Sequence, residues 1–384
     1  MTGCGPHACH CVCCAAPPGG AFRLGTARRR DHGAPAQRGA ALLMAMLTVT
    51  LVATFAAAAM WQQWRASEVE AAERARVQSS WVLVGALDWA RLILREDARS
   101  GGADYLAEPW AVPLEEARLS TFLAADQNNT GGNADDSDDA QNAFLSGRMI
   151  DLQSRLNVAN LVQNGQVSAP AQLAFERLFS VLGLAPAQLS VLTDNLLLAS
   201  NGAATAATPA TSAATGSTTG TPVATTSTSA NNTGNALAPL LPQRVGQLVW
   251  LGLSPATLAA LRPYITLLPV RTPVNLNTAS AEVLYACIPG IEMADAQKLV
   301  TQRDRTHFAT LADAAQLLGA AAGALNADQH GVSSRFFEVR GRLRLDQTVV
   351  QERSVVQREG LDVRVLWRER GVPPVPPGQT PPAN

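Results

Sequence analysis

The longest uninterrupted apolar segment of the chain runs from Ala40 to Met60 and contains no charged residue, His, Gly or Pro. At ~1.5 Å per residue, a helix over this segment is about 32 Å long, enough to cross the hydrocarbon core of a bilayer. Trp61 and Trp64 follow directly, where aromatic side chains often mark the membrane interface. The pattern predicts a transmembrane helix over residues 40–61.

A helical pattern continues beyond this predicted anchor. No Pro occurs from Gln62 to Arg99, and charged residues fill one face of the predicted helix. Apolar residues recur at helical spacing on the other face, which we expect to pack on the rest of the protein: Val77, Trp81, Val84, Leu87 and Leu94. Gly101 and Gly102 then provide a C-terminal stop. The pattern is compatible with one helix that ends near Ser100, and equally with a membrane helix joined to a separate amphipathic helix.

The C-terminal part of the chain changes to an alternating pattern. Residues 335–345 and 361–367 alternate between apolar and polar positions, with residues 348–358 between them, and Gly360 fits a hairpin between the last two segments. One face of the first segment is apolar, and the other carries Glu338, Arg340, Arg342 and Arg344. An antiparallel meander with one apolar face needs a covering layer, which we expect the long helix to supply. The predicted fold class is therefore α+β.

The region between helix and meander has mixed patterns. Residues 144–161 contain a candidate strand that leads into an Asn-rich turn, and helices are expected between Ala169 and Leu198. Residues 199–236 are rich in Ala, Thr, Ser, Gly and Asn, so they have too little apolar surface to offset the entropy cost of ordering. These residues predict a flexible insert within a helical domain.

Two short helices are predicted around Pro289-Gly290. Thr278 or Ser280 can cap the first helix, and Pro289-Gly290 forms a tight turn before the second. This pattern resembles a helix-hairpin-helix unit, in which backbone amides hold a DNA phosphate. Glu292 stands where such hairpins usually have a second Gly, and its negative charge opposes a phosphate. We therefore favour a structural hairpin over a DNA-binding one.

The charge balance is nearly neutral. Lys and Arg number 30 and Asp and Glu number 31 in the 384 residues, giving a net charge of -1. Such a chain has no global field that attracts nucleic acid or an acidic surface. Arg28, Arg29, Arg30 and Arg38 lie on the N-terminal side of the anchor, which places that end in the cytoplasm by the positive-inside rule.

Few residues are placed to do chemistry. Five of the six cysteines precede the anchor, namely Cys4, Cys9, Cys11, Cys13 and Cys14, and their spacing is too close for a usual zinc site. The segment is an unstructured leader or an over-called start. Cys287, His307 and His330 are isolated in the sequence, so we predict no enzymatic activity.

A second cluster of polar residues is a candidate for calcium binding. Asp135, Asp136, Asp138 and Asp139 supply hard oxygen ligands, but no bidentate Glu or loop Gly has the spacing of a calcium loop. A solvated acidic loop is the favoured interpretation, and calcium remains possible.

The border of the anchor indicates proteolytic processing. Gly39 and the basic Arg38 precede the apolar segment, so cleavage after Gly39 leaves the whole hydrophobic helix in place, beginning at Ala40. This arrangement is typical of type IV pilins and pseudopilins. An ordinary single-pass anchor with a coincidental Gly is the alternative.

Taken together, these features resemble the general secretion pathway protein K family, the largest minor pseudopilins of type II secretion. The resemblance rests on Gly39, the anchor and long helix, the turn at 107–111, residues 151–161, a predicted helical segment at 273–279 and the terminal strands. It implies a pilin-like fold with a large inserted all-α domain. The expected parts are a leader (1–39), an anchor (40–61), a periplasmic helix with the first strands (62–156), a helical domain (157–330) with its insert (199–236), terminal strands (331–370) and a disordered Pro-rich tail (371–384).

The resemblance also implies location and partners. A prepilin peptidase would cleave between Gly39 and Ala40, and Ala40 would be N-methylated. The chain would be a single-pass inner-membrane protein with periplasmic C-terminal domains. Its expected partners are the minor pseudopilins I and J and the other pseudopilins, with no nucleic acid. Members of the family can bind calcium, but we assign no ligands and no certain cofactor.

The fifth residue of the processed chain is Met44, where major pilins and pseudopilins have a Glu. That carboxylate meets the free amine of a neighbouring subunit, and a buried amine without a carboxylate is costly. A subunit without the Glu cannot neutralise a subunit stacked above it, so it suits the tip of a pseudopilus and the initiation of its assembly.

One rival function comes from a different class of protein. A membrane-anchored periplasmic DNA-binding receptor would use the hairpin at Gly290 to hold phosphate. Salt-sensitive binding to duplex DNA would favour this alternative.

Overall fold

The computed structural model describes residues 38–119, 143–206, 239–345 and 348–371. Several predicted features lie outside the described residues: the leader cysteines, the acidic residues from Asp135 to Asp139, most of the predicted insert and the Pro-rich tail. The chain divides into two compact units, Met1–Glu70 and Ala71–Asn384. The predicted domain boundaries remain predictions.

Helix α1 extends over Arg38–Ser100, 63 residues, as a single element. Of the two arrangements that the sequence left open, the structure has the continuous helix. Its end agrees with the predicted stop, because Gly101 and Gly102 have φ angles of 67° and 114°, which favour glycine. The helix is long and apolar enough to cross a membrane.

A five-stranded antiparallel sheet forms the second main element. Its strands, in spatial order, are β1 (Leu114–Arg118), β2 (Ala143–Asp151), β9 (Phe336–Leu345), β10 (Thr348–Glu359) and β11 (Asp362–Gly371). The predicted C-terminal meander is thus confirmed, and β2 and β1 extend it on the free edge of β9. Gly360, at φ 57°, lies in the turn between β10 and β11.

The C-terminal part of α1 packs on one face of this sheet. Leu87 and Leu94 lie in one apolar cluster with Phe337 and Val356, and all four are buried. Trp110 closes the cluster with its ring edge toward Phe337, the ring centroids being 5.1 Å apart. Full burial of each large apolar side chain contributes roughly 1.5–3 kcal/mol, so this face is a major source of stability.

The elements between β2 and β9 are mainly helical. The helices are α2 (Ala169–Val181), α3 (Pro186–Ala206), α4 (Pro255–Leu261), α5 (Ala281–Cys287), α6 (Met293–Arg305) and α7 (Leu311–Leu318). The short strands are β3 (Leu156–Asn157), β4 (Val162–Gln163), β5 (Gln166–Val167), β6 (Ile265–Thr266), β7 (Val274–Asn275) and β8 (His330–Gly331). They enclose a separate apolar core that includes Leu178, Leu192, Leu248 and Leu284.

Two local predictions were wrong within this helical region. The flexible insert was expected to begin at residue 199, yet α3 continues to Ala206. Ala199 is buried in the helical core, and Ala is the best helix former, so burial and propensity both extend the helix. The segment at residues 273–279 was described as helical. Val274 and Asn275 instead form β7, which pairs in parallel with His330 and Gly331.

Candidate functional site

The N-terminal part of α1 presents an entirely apolar surface. Met44 is 67% exposed, and its neighbours through Met60 are exposed as well. The hydroxyls of Thr48, Thr50 and Thr54 donate to backbone carbonyls three residues earlier, at 2.8–2.9 Å. These threonines therefore present no unsatisfied hydroxyl to lipid, which suits a membrane environment.

The predicted processing and assembly residues all lie at the start of this helix. Gly39 and Ala40 are within its first turn, and Met44 lies one turn further along, on the same face as Ala40. The first turn contains no acidic residue. An amine at Ala40 would therefore have no carboxylate from its own helix within the apolar segment.

Further along α1, several large apolar side chains point to solvent. Val77, Trp81 and Leu92 are 53%, 71% and 54% exposed, and they lie beyond the predicted membrane span. The helical pattern in the sequence had placed Val77 and Trp81 on a packed face. Exposed aromatic and aliphatic residues in a row are typical of a protein-interaction surface.

A buried polar cluster joins the sheet to the helical region. Asp151, at the end of β2, is buried, and its Oδ2 accepts hydrogen bonds from the hydroxyls of Ser334 (2.6 Å) and Thr278 (2.5 Å). The amide of Asn275 also donates to this oxygen, at 3.1 Å, and to the backbone carbonyl of Asp104, at 3.1 Å. Residues 275–278 and Ser334 therefore meet at the Asp151 carboxylate, and Asn275 links Asp104 to the same cluster.

Arg358 supplies the positive charge beside this cluster. Its guanidinium donates to both carboxylate oxygens of Asp104, at 2.6 and 2.8 Å, and also to a carboxylate oxygen of Asp97. Asp97, Asp104 and Glu108 have carboxylate oxygens within 4.8 Å of one another. Such oxygens are the ligand type that calcium takes. Here two of the three carboxylates already pair with the guanidinium.

Burial changes the protonation of these acids. Desolvation raises the pKa of Asp104 to about 7, against the opposing effects of Arg358 and the Ser334 backbone N–H. Burial also raises the pKa of Asp151, whose hydrogen-bond donors are all uncharged. The sequence predicts an acidic cluster at residues 135–139, whereas no local motif predicts that Asp104 and Asp151 lie close together.

Asparagine side chains connect further parts of the helical region. Asn277 makes two hydrogen bonds of 2.9 Å with the backbone of Phe308, one through its amide nitrogen and one through its oxygen. Asn157 likewise accepts from the N–H of Leu268 at 3.1 Å and donates to the carbonyl of Val270 at 2.8 Å. The sequence signal is an Asn placed between apolar residues, which indicates a buried amide with backbone partners.

The predicted helix-hairpin-helix unit is present as α5 and α6. Of its two proposed caps, Ser280 accepts from the N–H of Val283 at 3.4 Å, and Gly290 has a φ angle of 81° in the turn. Two of the positive charges near the hairpin are engaged within the chain, whereas Arg305, at the end of α6, is exposed. Lys298 pairs with Asp295 at 2.8 Å, and the buried Arg303 donates to the carbonyl of Leu276, at 2.8 Å, and to that of Ala279. The hairpin therefore offers little free charge to a phosphate.

The three residues considered for catalysis have structural contacts. Cys287 is buried, and burial raises the pKa of its thiol to about 12. His330 is buried, with its Nε2 at 3.2 Å from the carbonyl oxygen of Cys287. The ring of His307 stacks on Tyr105, with centroids 3.8 Å apart. A protonated, buried thiol is a poor nucleophile.

Comparisons with known proteins find matches to one family. Two models described as type II secretion system (T2SS), protein K, match residues 154–270 and 274–333. Both matched segments are thus similar to the type II secretion system protein K family. The matched residues include Asn275, Asn277 and Thr278, which fix the polar contacts described above.

Two relatives span most of the chain. The type II secretion system protein K of Pseudomonas aeruginosa is 26% identical over 344 residues, covering 87% of this chain and 93% of that protein. A chain in the crystal structure of the GspK-GspI-GspJ complex from the enterotoxigenic Escherichia coli type 2 secretion system is 16% identical. It has a TM-score of 0.51 and covers 78% of this chain and 98% of that chain. This second likeness supports the fold, a long helix on an antiparallel sheet with a helical region.

Proposed function

We propose that this chain is a protein K of type II secretion, a minor pseudopilin at the tip of the pseudopilus, where it initiates assembly. The observation that carries the proposal is the start of α1, which has no carboxylate between Ala40 and Met60 and has Met44 at the fifth position after the predicted cleavage. The exposed apolar surface of this segment suits burial among other apolar helices.

The missing carboxylate restricts the position that the chain can take in a filament. A subunit inside the filament would need a carboxylate to neutralise the free amine of the subunit next to it, because an unpaired charge in an apolar bundle is strongly unfavourable. With Met44 at that position, this chain cannot neutralise an amine from a subunit above it. A place at the end of the filament avoids the requirement.

The helical region supports the same position. It comprises the elements between β2 and β9 and has its own apolar core. A bulky addition to the pilin-like part would obstruct a further subunit above it. The solved complex of GspK with GspI and GspJ supports the minor pseudopilins I and J as partners.

The first test is the N-terminus of the membrane-extracted protein, expressed with and without a prepilin peptidase. We expect intact mass and N-terminal sequencing to give a methylated Ala40 only when the peptidase is present. Gly39→Val should abolish processing, whereas Gly85→Ala, far along the same helix, should leave it unchanged. An unprocessed terminus in the presence of the peptidase would instead support a simple anchored receptor.

The second test is co-purification in detergent with the I and J pseudopilins of the same secretion system. Trp81 is 71% exposed on α1, so Trp81→Ala should reduce the recovered partners if this helix forms the interface. Val112→Ala, at a residue 61% exposed outside the helix, is the matched control. Failure of the wild-type chain to retain either partner would contradict the tip complex.

A further inference from the structure

The face of the sheet opposite α1 carries an unusual concentration of arginine. Arg148 on β2, Arg340 on β9 and Arg353 on β10 are direct cross-strand neighbours in one row. Arg342 lies two residues from Arg340 on the same face. Neighbouring strands are about 4.8 Å apart, and like charges directly opposite one another are destabilising. We call Arg148, Arg340, Arg342 and Arg353 the arginine face.

The negative charge on this face comes from Glu338 on β9 and from Glu369, which lies opposite Arg353 on β11, and it is smaller than the positive charge of the arginines. Glu338 is fully buried and accepts hydrogen bonds from the Nε atoms of Arg340 and of Arg353, the latter at 2.7 Å. Arg155 adds a third cation near the same carboxylate. Burial lowers the pKa of Arg155, with Glu338 opposing that effect and Arg340 and Arg353 adding to it. The Glu338 carboxylate therefore has three guanidinium groups around it, two of which donate hydrogen bonds to it.

The remaining arginines of the face are open to solvent. Arg148 and Arg342 are exposed, and neither has a hydrogen-bond or ion-pair partner among the described residues. Arg340 and Arg353 keep side-chain exposures of 38% and 43% even though both pair with Glu338. The face thus retains N–H donors that can meet an outside acceptor.

Aromatic side chains hold the edges of the face in place. Arg353 lies over the ring of Trp367, 5.1 Å from its centroid, and Arg344 lies over Phe144 at 4.1 Å. Stacking on a ring orients a guanidinium and leaves its N–H edge available for bidentate hydrogen bonds. The region between β2 and β9 reaches this face at Leu268, which packs near Val355. It also reaches the face at Arg244, which lies over Trp367 at 4.9 Å and pairs with Glu369 at 3.4 Å.

We propose that the arginine face is a docking surface for a carboxylate-rich segment of a partner protein. Arginine forks match carboxylates in bidentate geometry, and the spacing of about 5 Å across strands and about 7 Å along them fits successive acidic residues of an extended segment. Exposed arginine beside aromatic rings is also the composition of protein–protein interfaces. This role is separate from assembly through α1.

The test uses the full chain in non-ionic detergent and a fluorescein-labelled poly-aspartate peptide, followed by fluorescence anisotropy. We expect binding that weakens as salt increases. The Arg148→Glu/Arg342→Glu double variant should bind about tenfold or more weakly, because two attractive contacts become repulsive. The matched control is Arg262→Glu/Arg271→Glu, which makes the same change in net charge at two exposed arginines of the helical region.

Several outcomes would overturn the proposal. These are no binding by the wild-type chain, equal loss in both double variants, or displacement of the peptide more readily by anionic lipid vesicles or duplex DNA than by unlabelled poly-aspartate. Thermal unfolding of each variant checks folding, and Arg148→Gln/Arg342→Gln, which removes charge without reversing it, should give an intermediate loss. None of these results depends on processing at Gly39.

Discussion

At the scale of single residues, the buried polar groups that join the sheet to the helical region make the most specific contacts. Asn275 donates to three buried acceptors, the carbonyl of Asp104, a carboxylate oxygen of Asp151 and the hydroxyl of Ser334, all at 3.0–3.1 Å. Each acceptor comes from a different part of the chain. One amide therefore connects the loop after α1, the end of β2 and the approach to β9.

Replacing this amide should be costly. We expect Asn275→Ala to lower the free energy of unfolding by about 1–3 kcal/mol, because it removes the amide donor from the buried carbonyl of Asp104 and one of the donors from Asp151. Chemical denaturation of the full chain in detergent measures the change. Gln297→Ala, at an exposed position on α6, should stay within about 0.5 kcal/mol of wild type. An equal effect of both changes would contradict the role of the junction.

The buried acid Asp104 should make stability depend on pH. Its pKa is raised from 3.8 to about 7, so the folded state keeps a proton that the unfolded chain has already lost in this window. Its contribution to stability is present below about pH 4 and is lost as the pH rises through about 7.

The measurement compares wild type with Asp104→Asn from pH 4 to pH 8. We expect the stability of wild type relative to the variant to fall across this range, by a few kcal/mol as an order of magnitude. Taking the difference between the two proteins cancels the contributions of other acids. A difference that stays constant with pH would show that Asp104 has an ordinary pKa in the folded protein.

At the scale of elements, two glycines show how closely α1 and the sheet are fitted. Gly147 and Gly341 are direct cross-strand partners in β2 and β9. A Cβ at Gly147 would lie 3.0 Å from the backbone oxygen of Arg340, and one at Gly341 would lie 3.1 Å from a methyl group of Leu83 in α1. The absence of side chains lets the backbones and the helix approach.

Substitution of glycine should therefore have opposite effects in the two elements. Gly147→Ala should destabilise the protein, since the contacting atom is backbone and cannot move away easily. Gly85→Ala, in the exposed part of α1 with no atom within 4 Å of the new Cβ, should stabilise it by about 0.5–1 kcal/mol through helix propensity. Thermal unfolding of the two variants checks both signs, and stabilisation by Gly147→Ala would refute the close fit.

The long helix and the long C-terminal strands could be predicted from the sequence. The apolar segment from Ala40 and the alternation after Arg335 identified α1 and the C-terminal strands, because many positions repeat the same pattern. The two-residue strands β3, β6, β7 and β8 could not be found, since two residues define no period. Their pairing depends on contacts such as Asn157 with Val270, which are distant in sequence.

The residues of the candidate site also differ in how far the sequence predicts them. Gly39, Ala40 and Met44 are recognisable from the order of small, basic and apolar residues along one segment. The partnership of Asp104 with Arg358 joins residues 254 positions apart, so it is defined by the fold alone. The arginine face lies between these cases, because alternation predicted Arg340 and Arg342 on one side but could not bring Arg148 beside them.

At the scale of the whole molecule, α1 combines an anchor with the scaffold of the pilin-like part. If Met44 marks an assembly position and has no part in recognition by the peptidase, then Met44→Glu should leave processing intact. The intact mass of the variant, with and without peptidase, should match the shift of the wild-type chain. Loss of cleavage would mean that this position also contributes to recognition, and would weaken its interpretation as an assembly feature alone.

The way in which the helical region joins the sheet has a mechanical consequence. The chain leaves the sheet at Asp151 and returns at Phe336, and the last pair of the β2–β9 ladder is Asp151 with Phe337, so both connections emerge at the same end of adjacent strands. A force on the helical region along the strands moves these two strands together and loads the β9–β10 ladder in shear. Hydrogen bonds in shear share the force, whereas bonds that are peeled break one after another. A push on the helical region along the strands would thus be borne without separating β2 from β9.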